Sequence, residues 1–371
     1  MEGASAGPMG SDNLSRMIAK RERMTTMGAD ARYARQVRYP AIGEHGQARL
    51  LAASVAIVGV GALGCVTANH LTRAGIGKLT LIDRDIVDRS NLQRQMLYDE
   101  SDADAGMPKA IAAANRLKAI NGDIEIYPHV ADLSSFNAEM LLAGADLVID
   151  GSDNFGVRYL INEYSVKLGV PWIYGGAVGA SGMTLTVIPG STPCLCCLFP
   201  EPPPGGTLDT CETAGVLSPI IDTIASVQAM EAIKLLIGQP EALHGSLMQI
   251  DLWQHQWHSL SVDGARKPNC PVCGLRRFDA LDGDAPLEAM TASLCGRNTV
   301  QVTPSRQLTL DLGTLQNRLV KAGRSELNPY SLRLHLPDGI SFLLFADGRA
   351  LVMGTDEPMI ARRVYADLMG E

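Results

Sequence analysis

Three glycines at a fixed spacing, between an apolar run and a helical segment, constrain the fold of this chain more than any other feature. Residues 54–59 form an apolar run typical of a buried strand, and the glycines follow as Gly-Val-Gly-Ala-Leu-Gly over 59–64. A helix is expected over 63–74, and residues 78–83 predict a second strand. Together these segments form a βαβ unit, whose two strands lie parallel in one sheet.

The same glycine turn predicts a nucleotide site. Gly59, Gly61 and Gly64 let the backbone turn tightly and approach a phosphate, and the helix that follows offers free N–H groups. Asp83, at the end of the second strand, can accept hydrogen bonds from two ribose hydroxyls. Ala62 belongs to the same turn. The turn does not tell which nucleotide is bound, because NAD and FAD enzymes share it, and a purely structural turn is a further alternative.

Apolar runs farther along the chain extend this pattern. Residues 220–237 have the apolar spacing of a core helix, and residues 247–262 alternate as an antiparallel strand does. We therefore predict an α/β fold with a doubly wound, Rossmann-like, mostly parallel sheet. Its further strands are expected over 124–127, 147–150, 172–174 and 184–188, with helices between them.

The chain divides into four predicted parts. The last part reads as a strand, a helix over 310–322, strands joined by Asp-Gly turns, and a terminal helix over 357–369. The predicted parts are a mobile N-terminal arm over 1–27, a nucleotide-binding domain over 28–274, a linker over 275–298, and a small α+β domain over 299–371.

Charge and hydropathy exclude several classes of partner. The 371 residues include 32 Lys and Arg against 40 Asp and Glu, a net charge of −8 that does not attract nucleic acid or an anionic membrane. The apolar runs are far shorter than the roughly 20 residues that a membrane span requires. The first thirty residues contain no apolar run long enough for a secretory signal, so we expect a cytoplasmic protein.

Cationic residues follow the second strand, where a dehydrogenase needs none. They lie in the runs Asp83-Arg-Asp85, Ser90-Asn91-Leu-Gln93-Arg94-Gln95 and Pro108-Lys109. With these runs, the chain resembles the ThiF/MoeB/HesA family, the bacterial relatives of the ubiquitin-activating enzymes, from Arg32 to Gly274. The other matching runs are Arg32-Tyr-Ala-Arg35-Gln36, Asp150-Gly-Ser-Asp153-Asn154 and Thr210-Cys211-Glu212-Thr-Ala-Gly215-Val.

The resemblance implies that residues 28–274 form an ATP-binding adenylation domain with a zinc site. It implies adenylation of the C-terminal glycine carboxylate of a ubiquitin-like sulfur-carrier protein, with a cysteine desulfurase or rhodanese as sulfur donor. That carboxylate needs no general base, because its ordinary pKa is about 3.3 to 3.7. The residues expected at the ATP site are Gly59, Gly61, Ala62, Gly64, Asp83, Asp85, Ser90, Asn91, Gln93, Arg94, Gln95, Lys109, Asp153 and Asn154.

Five residues receive catalytic roles on this basis, of which Cys211 is taken up below with the other cysteines. Arg94 can bind phosphate with a planar fork, and Lys109 can act as a point charge against the anions that meet in the reaction. Asp153 matches the aspartate that holds Mg²⁺ in the family, and carboxylate oxygens suit that hard cation. Arg35 matches the arginine finger that reaches the neighbouring subunit's site in relatives, which implies a homodimer.

Residues 294–302, 328–330 and 345–350 resemble the C-terminal extension of certain bacterial ThiF proteins. This favours a ThiS-like carrier and sulfur supply for the thiazole of thiamine. The alternatives are a MoaD-like carrier for molybdopterin, or adenylation of a peptide natural product. An NAD-binding oxidoreductase would leave Arg94, Lys109 and the paired cysteines unexplained, and a non-catalytic binding module would leave the charged residues without a purpose.

Two C-x-x-C pairs predict a metal site. Cys194 with Cys197 and Cys270 with Cys273 supply four thiolates, a set that suits tetrahedral Zn²⁺ in a reducing compartment. Four protein ligands leave no open position, so we interpret the site as structural. Two unrelated reduced pairs are the alternative. Cys196 is not expected to be a ligand.

Two further cysteines flank these motifs. Cys65 follows the glycine turn and is expected to face the core. Cys211 matches a cysteine that lies on a mobile crossover loop in family members and, in some of them, bonds covalently to the carrier. A buried apolar cysteine is the alternative, because no adjacent Lys or Arg lowers the pKa of the Cys211 thiol.

Overall fold

A computed structural model of the chain describes residues 31–202, 213–283, 291–294, 298–304, 308–337 and 339–370, and structural statements below refer to these residues. Residues 291–294 are described by their backbone alone. The predicted arm over 1–27, Cys211 and Cys295 lie outside the described residues. Within the described ranges, no helix has the length and apolar character needed to cross a bilayer.

Helices and strands are interspersed along the described residues up to Ser261, and six strands and two helices are described after it. The helices are α1 (Ala34–Val37), α2 (Gly43–Ala52), α3 (Ala62–Ala74), α4 (Glu100–Asp104), α5 (Lys109–Ile120), α6 (Ala138–Leu141), α7 (Phe155–Leu168), α8 (Leu195–Leu198), α9 (Ser218–Leu236), α10 (Leu312–Leu319) and α11 (Pro358–Met369). The strands are β1 (Ser54–Val58), β2 (Lys78–Asp83), β3 (Glu125–Val130), β4 (Leu147–Asp150), β5 (Trp172–Val178), β6 (Ser181–Val187), β7 (Ser246–Asp251), β8 (Gln256–Ser261), β9 (Thr291–Leu294), β10 (Thr299–Val302), β11 (Arg324–Leu327), β12 (Ser331–His335), β13 (Ser341–Phe345) and β14 (Ala350–Met353).

The first sheet has eight strands among the described residues, in the order β3-β2-β1-β4-β5-β6-β7-β8. Pairings from β3 across to β5 are parallel, and those from β5 to β8 are antiparallel. This confirms the predicted α/β class. The segment predicted as one strand over 247–262 is a hairpin instead, because His255 adopts a φ of 55° between β7 and β8 and turns the chain back.

Apolar side chains of β1 face both sides of this sheet. Val55 and Ile57 pack on one side in a core that includes residues of α3, α5 and α9, whereas Ala56 and Val58 pack on the other with residues of α7 and α8. Fully burying such a valine or isoleucine stabilises a fold by roughly 1.5–3 kcal/mol. Burial on both faces explains why the β1 segment is a continuous apolar run rather than an alternating one.

The connections place a crevice beside β1. The chain runs outward through β2 and β3, then returns to β4 on the opposite side of β1. In open parallel sheets, a ligand site commonly lies where the strand order reverses in this way, outside the carboxyl ends of the strands. The turn after β1 and the loop after β4 therefore meet at one edge of the sheet.

A second sheet of six strands among the described residues has the order β11-β12-β13-β14-β10-β9, and its neighbours are antiparallel. One of its faces packs against α10 and α11.

The four-part division of the chain stays a prediction. Within the predicted linker over 275–298, β9 pairs with β10, and Leu281 is buried in the core of the first sheet.

Candidate active site and cysteine cluster

The glycine turn after β1 packs tightly against the loop after β4. Gly59 has a φ of +83°, and a Cβ at this position would lie 2.8 Å from the carbonyl carbon of Gly151. A Cβ at Gly64 would lie 2.0 Å from the carbonyl oxygen of Gly59. A Cβ at Gly61, the N-cap of α3, would meet nothing closer than 3.9 Å. Close packing therefore accounts for Gly59 and Gly64 but not for Gly61.

Cys65 lies just inside this turn. Its side chain is fully buried, the thiol donates to the carbonyl of Val60 at 3.3 Å, and burial raises the pKa of Cys65 to about 12. The residue packs in the core as expected, and its thiol stays protonated at neutral pH.

Asp83 is tied to the glycine turn by its carboxylate. Its two oxygens accept hydrogen bonds from the backbone N–H groups of Val60 and Asp85, each at 2.7 Å. Asp83 is buried, and this burial raises the pKa of its carboxyl group against the opposing effect of Lys109. The carboxylate thus holds the turn after β1 in register with the segment after β2.

Lys109 begins α5 and forms an ion pair with Asp85. The Lys109 Nζ atom lies 3.1 Å from Asp85 Oδ2, and the lysine side chain is only 4% exposed. The Lys109 backbone N–H donates to the Asp85 carbonyl at 2.9 Å, which fixes the start of α5 against the same segment. The Tyr98 hydroxyl lies 2.6 Å from the Val60 carbonyl oxygen and 3.2 Å from that of Lys109. Tyr98 had no motif to identify it in the sequence.

The segment from Ser90 to Gln95 contains two buried amides. The oxygens Asn91 Oδ1 and Gln95 Oε1 are buried and have no hydrogen-bond partner within the described part of the chain. Buried polar groups in native proteins are nearly always hydrogen-bonded, so two such atoms in one segment require an explanation. Arg94 is half-buried and donates from Nη1 to the Ser90 carbonyl at 3.0 Å, whereas Gln93 is exposed.

A buried ion pair supports the loop after β4. Asp150 is fully buried, its Oδ2 lies 3.0 Å from Arg158 Nε, and its Oδ1 accepts from the Ser152 backbone and hydroxyl. Arg158 also donates to the carbonyls of Ser152 and Gly175 at 2.9 and 3.1 Å. Sequence reasoning missed Arg158, because an arginine inside a helix has no distinctive local pattern. The pair fixes the path of the chain immediately before Asp153.

Asp153 and Asn154 differ in their contacts. Asp153 is exposed. Asn154 caps α7, accepting from the backbone N–H groups of Gly156 and Val157 at 2.8 and 3.4 Å. A cap of this kind typically stabilises a helix by about 1 kcal/mol. Asn154 therefore has a structural role of its own, independent of any ligand.

Arg35 lies on α1, away from these contacts. Its side chain is exposed, and no hydrogen bond or ion pair joins it to the other candidate residues in the described ranges. The neighbouring Gln36 anchors the segment, donating to Gln47 Oε1 at 2.7 Å and to the Ala74 carbonyl at 2.9 Å. Gln36 thus holds α1 in place, whereas no described residue of the site forms a hydrogen bond or ion pair with the Arg35 guanidinium.

The four paired cysteines converge on one point. Their sulfur atoms all lie within 4.8 Å of one another, with Cys194 3.6 Å from Cys270 and Cys197 3.4 Å from Cys273. A tetrahedral site with Zn–S bonds of 2.3 Å requires sulfur atoms about 3.8 Å apart, so the cluster has the dimensions of such a site. The Cys197 sulfur also accepts from the Lys267 backbone N–H at 3.5 Å. Cys196 lies outside the four, as expected.

Comparison with known proteins agrees with this geometry. Residues 33–272 match the ThiF family. The chain is 41% identical over 340 residues to the sulfur carrier protein ThiS adenylyltransferase of Bacillus subtilis, covering 91% of this chain and 99% of that protein. It is 38% identical over 273 residues to the SAMP-activating enzyme E1 of Haloferax volcanii, covering 72% of this chain and 99% of that protein.

Solved structures share the fold. E. coli MccB with ATP matches with a TM-score of 0.58 at 22% identity, over 72% of this chain and 82% of that one. The relatives named above are adenylating or activating enzymes, which confirms the predicted enzyme class of adenylyltransferase. The family match and the extent of identity lead to one conclusion: the chain belongs to the ThiF family.

Proposed function

We propose that this chain uses ATP to adenylate the C-terminal glycine carboxylate of a ubiquitin-like sulfur-carrier protein. The observation that supports it most directly is a series of two hydrogen bonds and one ion pair. The series runs from Val60 through Asp83 and Asp85 to Lys109. It joins a carboxylate suited to a ribose with a cation suited to a phosphate, beside a glycine turn at the crevice.

In the proposed step, a carboxylate oxygen of the carrier attacks the α-phosphorus of ATP. A new P–O bond forms, the bond to the bridging oxygen of the β-phosphate breaks, and pyrophosphate leaves with that electron pair. The carrier carboxylate and the triphosphate of ATP are both anionic, so the site must neutralise charge. It must also hold the attacking and leaving oxygens in line. Lys109 and Arg94 supply the positive charge from this chain. The carrier carboxylate is already ionised at neutral pH, so no side chain has to remove a proton.

Asn91 and Gln95 are suited to bind the nucleotide. Their buried amide oxygens lack protein partners within the described residues, and hydroxyl or amino groups of a bound nucleotide would satisfy them. Gly61 supports the same interpretation, since no packing contact requires a glycine there and a phosphate can approach its backbone.

Mg²⁺ and Zn²⁺ are the proposed metals. Asp153 is exposed, and no hydrogen bond or ion pair in the described ranges engages its carboxylate, so its oxygens fit a hard cation. Mg²⁺ held there would neutralise phosphate charge. The four cysteine sulfurs fit Zn²⁺ by type and spacing, and the ion would tie residues 194–197 to residues 270–273.

The carrier class is the finer part of the proposal. Similarity to the ThiS adenylyltransferase extends over 91% of the chain, through the second sheet, and this favours a ThiS-like carrier in thiamine thiazole synthesis. ATP–pyrophosphate exchange with purified ThiS-like and MoaD-like carriers tests it. Exchange that depends on the ThiS-like carrier supports the assignment. Equal or greater exchange with a MoaD-like carrier would reject the thiamine assignment, and no exchange with either would reject carrier adenylation.

A further inference from the structure

The second sheet buries both of its faces, and one of them rests on the nucleotide side of the first sheet. Along β13, Phe342 and Leu344 face α10 and α11, whereas Leu343 and Phe345 face the opposite way. This opposite face packs with Ile86, which follows Asp85 in the chain, and with Val130 at the end of β3. Strand alternation thus gives the second sheet a second apolar contact beyond its own helices.

Arg349 lies at the centre of that contact. It follows the turn between β13 and β14, and its side chain is 1% exposed. Its Nη1 atom donates to the backbone carbonyl of Arg84 at 2.7 Å, and its guanidinium lies 4.1 Å from the centre of the Phe345 ring. Arg84 stands between Asp83 and Asp85.

Such burial is costly for a cation. Asp347 is the nearest carboxylate, 3.7 Å from Arg349 Nε, and the Nε and Nη2 groups have no hydrogen-bond partner in the described part of the chain. A neutral residue of similar volume would avoid this cost, so the buried arginine points to a role in which its donor groups are used. The shortest polar contact of its side chain is the hydrogen bond to the Arg84 carbonyl.

The second sheet also reaches the side chain of Arg84, through Asp132. Gln301 of β10 is buried and donates from Nε2 to Asp132 Oδ2 at 3.0 Å. The same carboxylate oxygen accepts from Arg84 Nη1 at 3.0 Å. The second sheet therefore holds the backbone of Arg84 directly and its side chain through Asp132.

We propose that residues 299–371 act as a positioning element for the nucleotide site, in which Arg349 and Gln301 fix Arg84 and thereby orient Asp83 and Asp85. The inference rests on the proposed function, since it takes Asp83 and Asp85 as part of the ATP site. A shift of the backbone at Arg84 would move the two flanking residues together. Misplacing a positioned group by about 1 Å can lower a reaction rate ~100-fold, so modest displacements have large effects.

The test compares full-length variants in carrier-dependent pyrophosphate exchange, with separate KM values for ATP and carrier. Arg349→Met removes the donor but keeps an unbranched side chain. It is expected to raise the KM for ATP about tenfold, the effect of losing one hydrogen bond from a charged donor, and to change the KM for the carrier less than threefold. Arg349→Lys retains a donor for the Arg84 carbonyl, so its KM for ATP should return to within about threefold of wild type.

Leu319→Ala is the matched control, because Leu319 packs in the core between α10 and the second sheet, a cluster separate from the apolar contact that includes Ile86. It should lower the melting temperature without raising the KM for ATP. If the KM for ATP rises equally in Leu319→Ala, Arg349 acts only through stability, and the proposal is overturned. An unchanged KM for ATP in Arg349→Met would also overturn the proposal.

Gln301→Leu provides a second route if Arg349→Met does not fold. It should raise the KM for ATP by a smaller factor, since Asp132 keeps Arg84 as a partner. An unchanged KM in Gln301→Leu would then refute the positioning role. A wild-type protein without exchange would instead refute the proposed function itself, and the inference with it.

Discussion

The ion pair between Lys109 and Asp85 allows catalysis and stability to be separated. Replacing Lys109 with Met removes the positive charge but keeps most of the aliphatic side chain. The pair distance of 3.1 Å and the 4% exposure of Lys109 place it among buried ion pairs. At an effective dielectric constant of 20, two unit charges at this distance attract by about 5 kcal/mol. Removing one partner of a buried pair typically costs about 3–5 kcal/mol of stability.

The double variant Lys109→Met with Asp85→Asn should recover part of that stability, because the Asp85 charge is removed together with its partner, while Asp83 still loses the cation that opposes the rise of its pKa. Exchange activity should not recover. Loss of one group that stabilises developing charge typically lowers kcat by about 10² to 10³-fold, and the double variant still lacks the cation. Urea unfolding measures the free energy of unfolding, and carrier-dependent pyrophosphate exchange measures the catalytic activity.

Lys118→Met is the matched control, since Lys118 lies on the same helix and is exposed. It should leave both measurements near wild type. If the double variant regains activity together with stability, Lys109 is a structural residue and our reasoning about the phosphate is wrong. The same holds if Lys109→Met retains near wild-type exchange while its stability falls.

Two further predictions concern the metal site and the subunits. Metal analysis of untagged protein should find about one zinc per chain, and Cys270→Ser should lose it and unfold more readily, because three thiolates cannot complete the tetrahedron; zinc content unchanged in Cys270→Ser would contradict the site. Mixing inactive Arg35→Ala and Asp153→Ala proteins should restore up to roughly a quarter of wild-type activity, since half of randomly mixed dimers are heterodimers and each has one intact site. If mass spectrometry shows subunit exchange and the mixture stays inactive, Arg35 does not act in trans.

The parts of the fold that depend on local pattern could be predicted from the sequence. The β2 strand begins and ends where expected, at Lys78 and Asp83, because one apolar run and its flanking turns specify it. The glycine turn was also predictable, since Gly59 and Gly64 meet requirements of backbone conformation and close packing. The four cysteines could be grouped by ligand spacing alone, although 76 residues separate the pairs that touch.

Contacts that depend on how the elements pack could not be predicted in this way, even for Asp150 and Arg158, which are only eight residues apart. Arg158 reaches Asp150 only because α7 returns along β4, and Arg349 meets the Arg84 carbonyl across 265 residues. Such partners depend on how the elements pack, and no short pattern encodes that. The pairing of Lys109 with Asp85 was equally hidden, because the sequence shows two charged residues at a candidate site but not that they neutralise each other.

The most direct test of carrier adenylation is the intact mass of the carrier after incubation with the wild-type chain, ATP and Mg²⁺, in the absence of a sulfur donor. Our account predicts a carrier that gains the mass of one AMP group at its C-terminal glycine, that releases it to a thiol nucleophile, and that gains nothing when this glycine is deleted. A carrier whose mass is unchanged while ATP is bound, or AMP found on any other residue, would contradict the account.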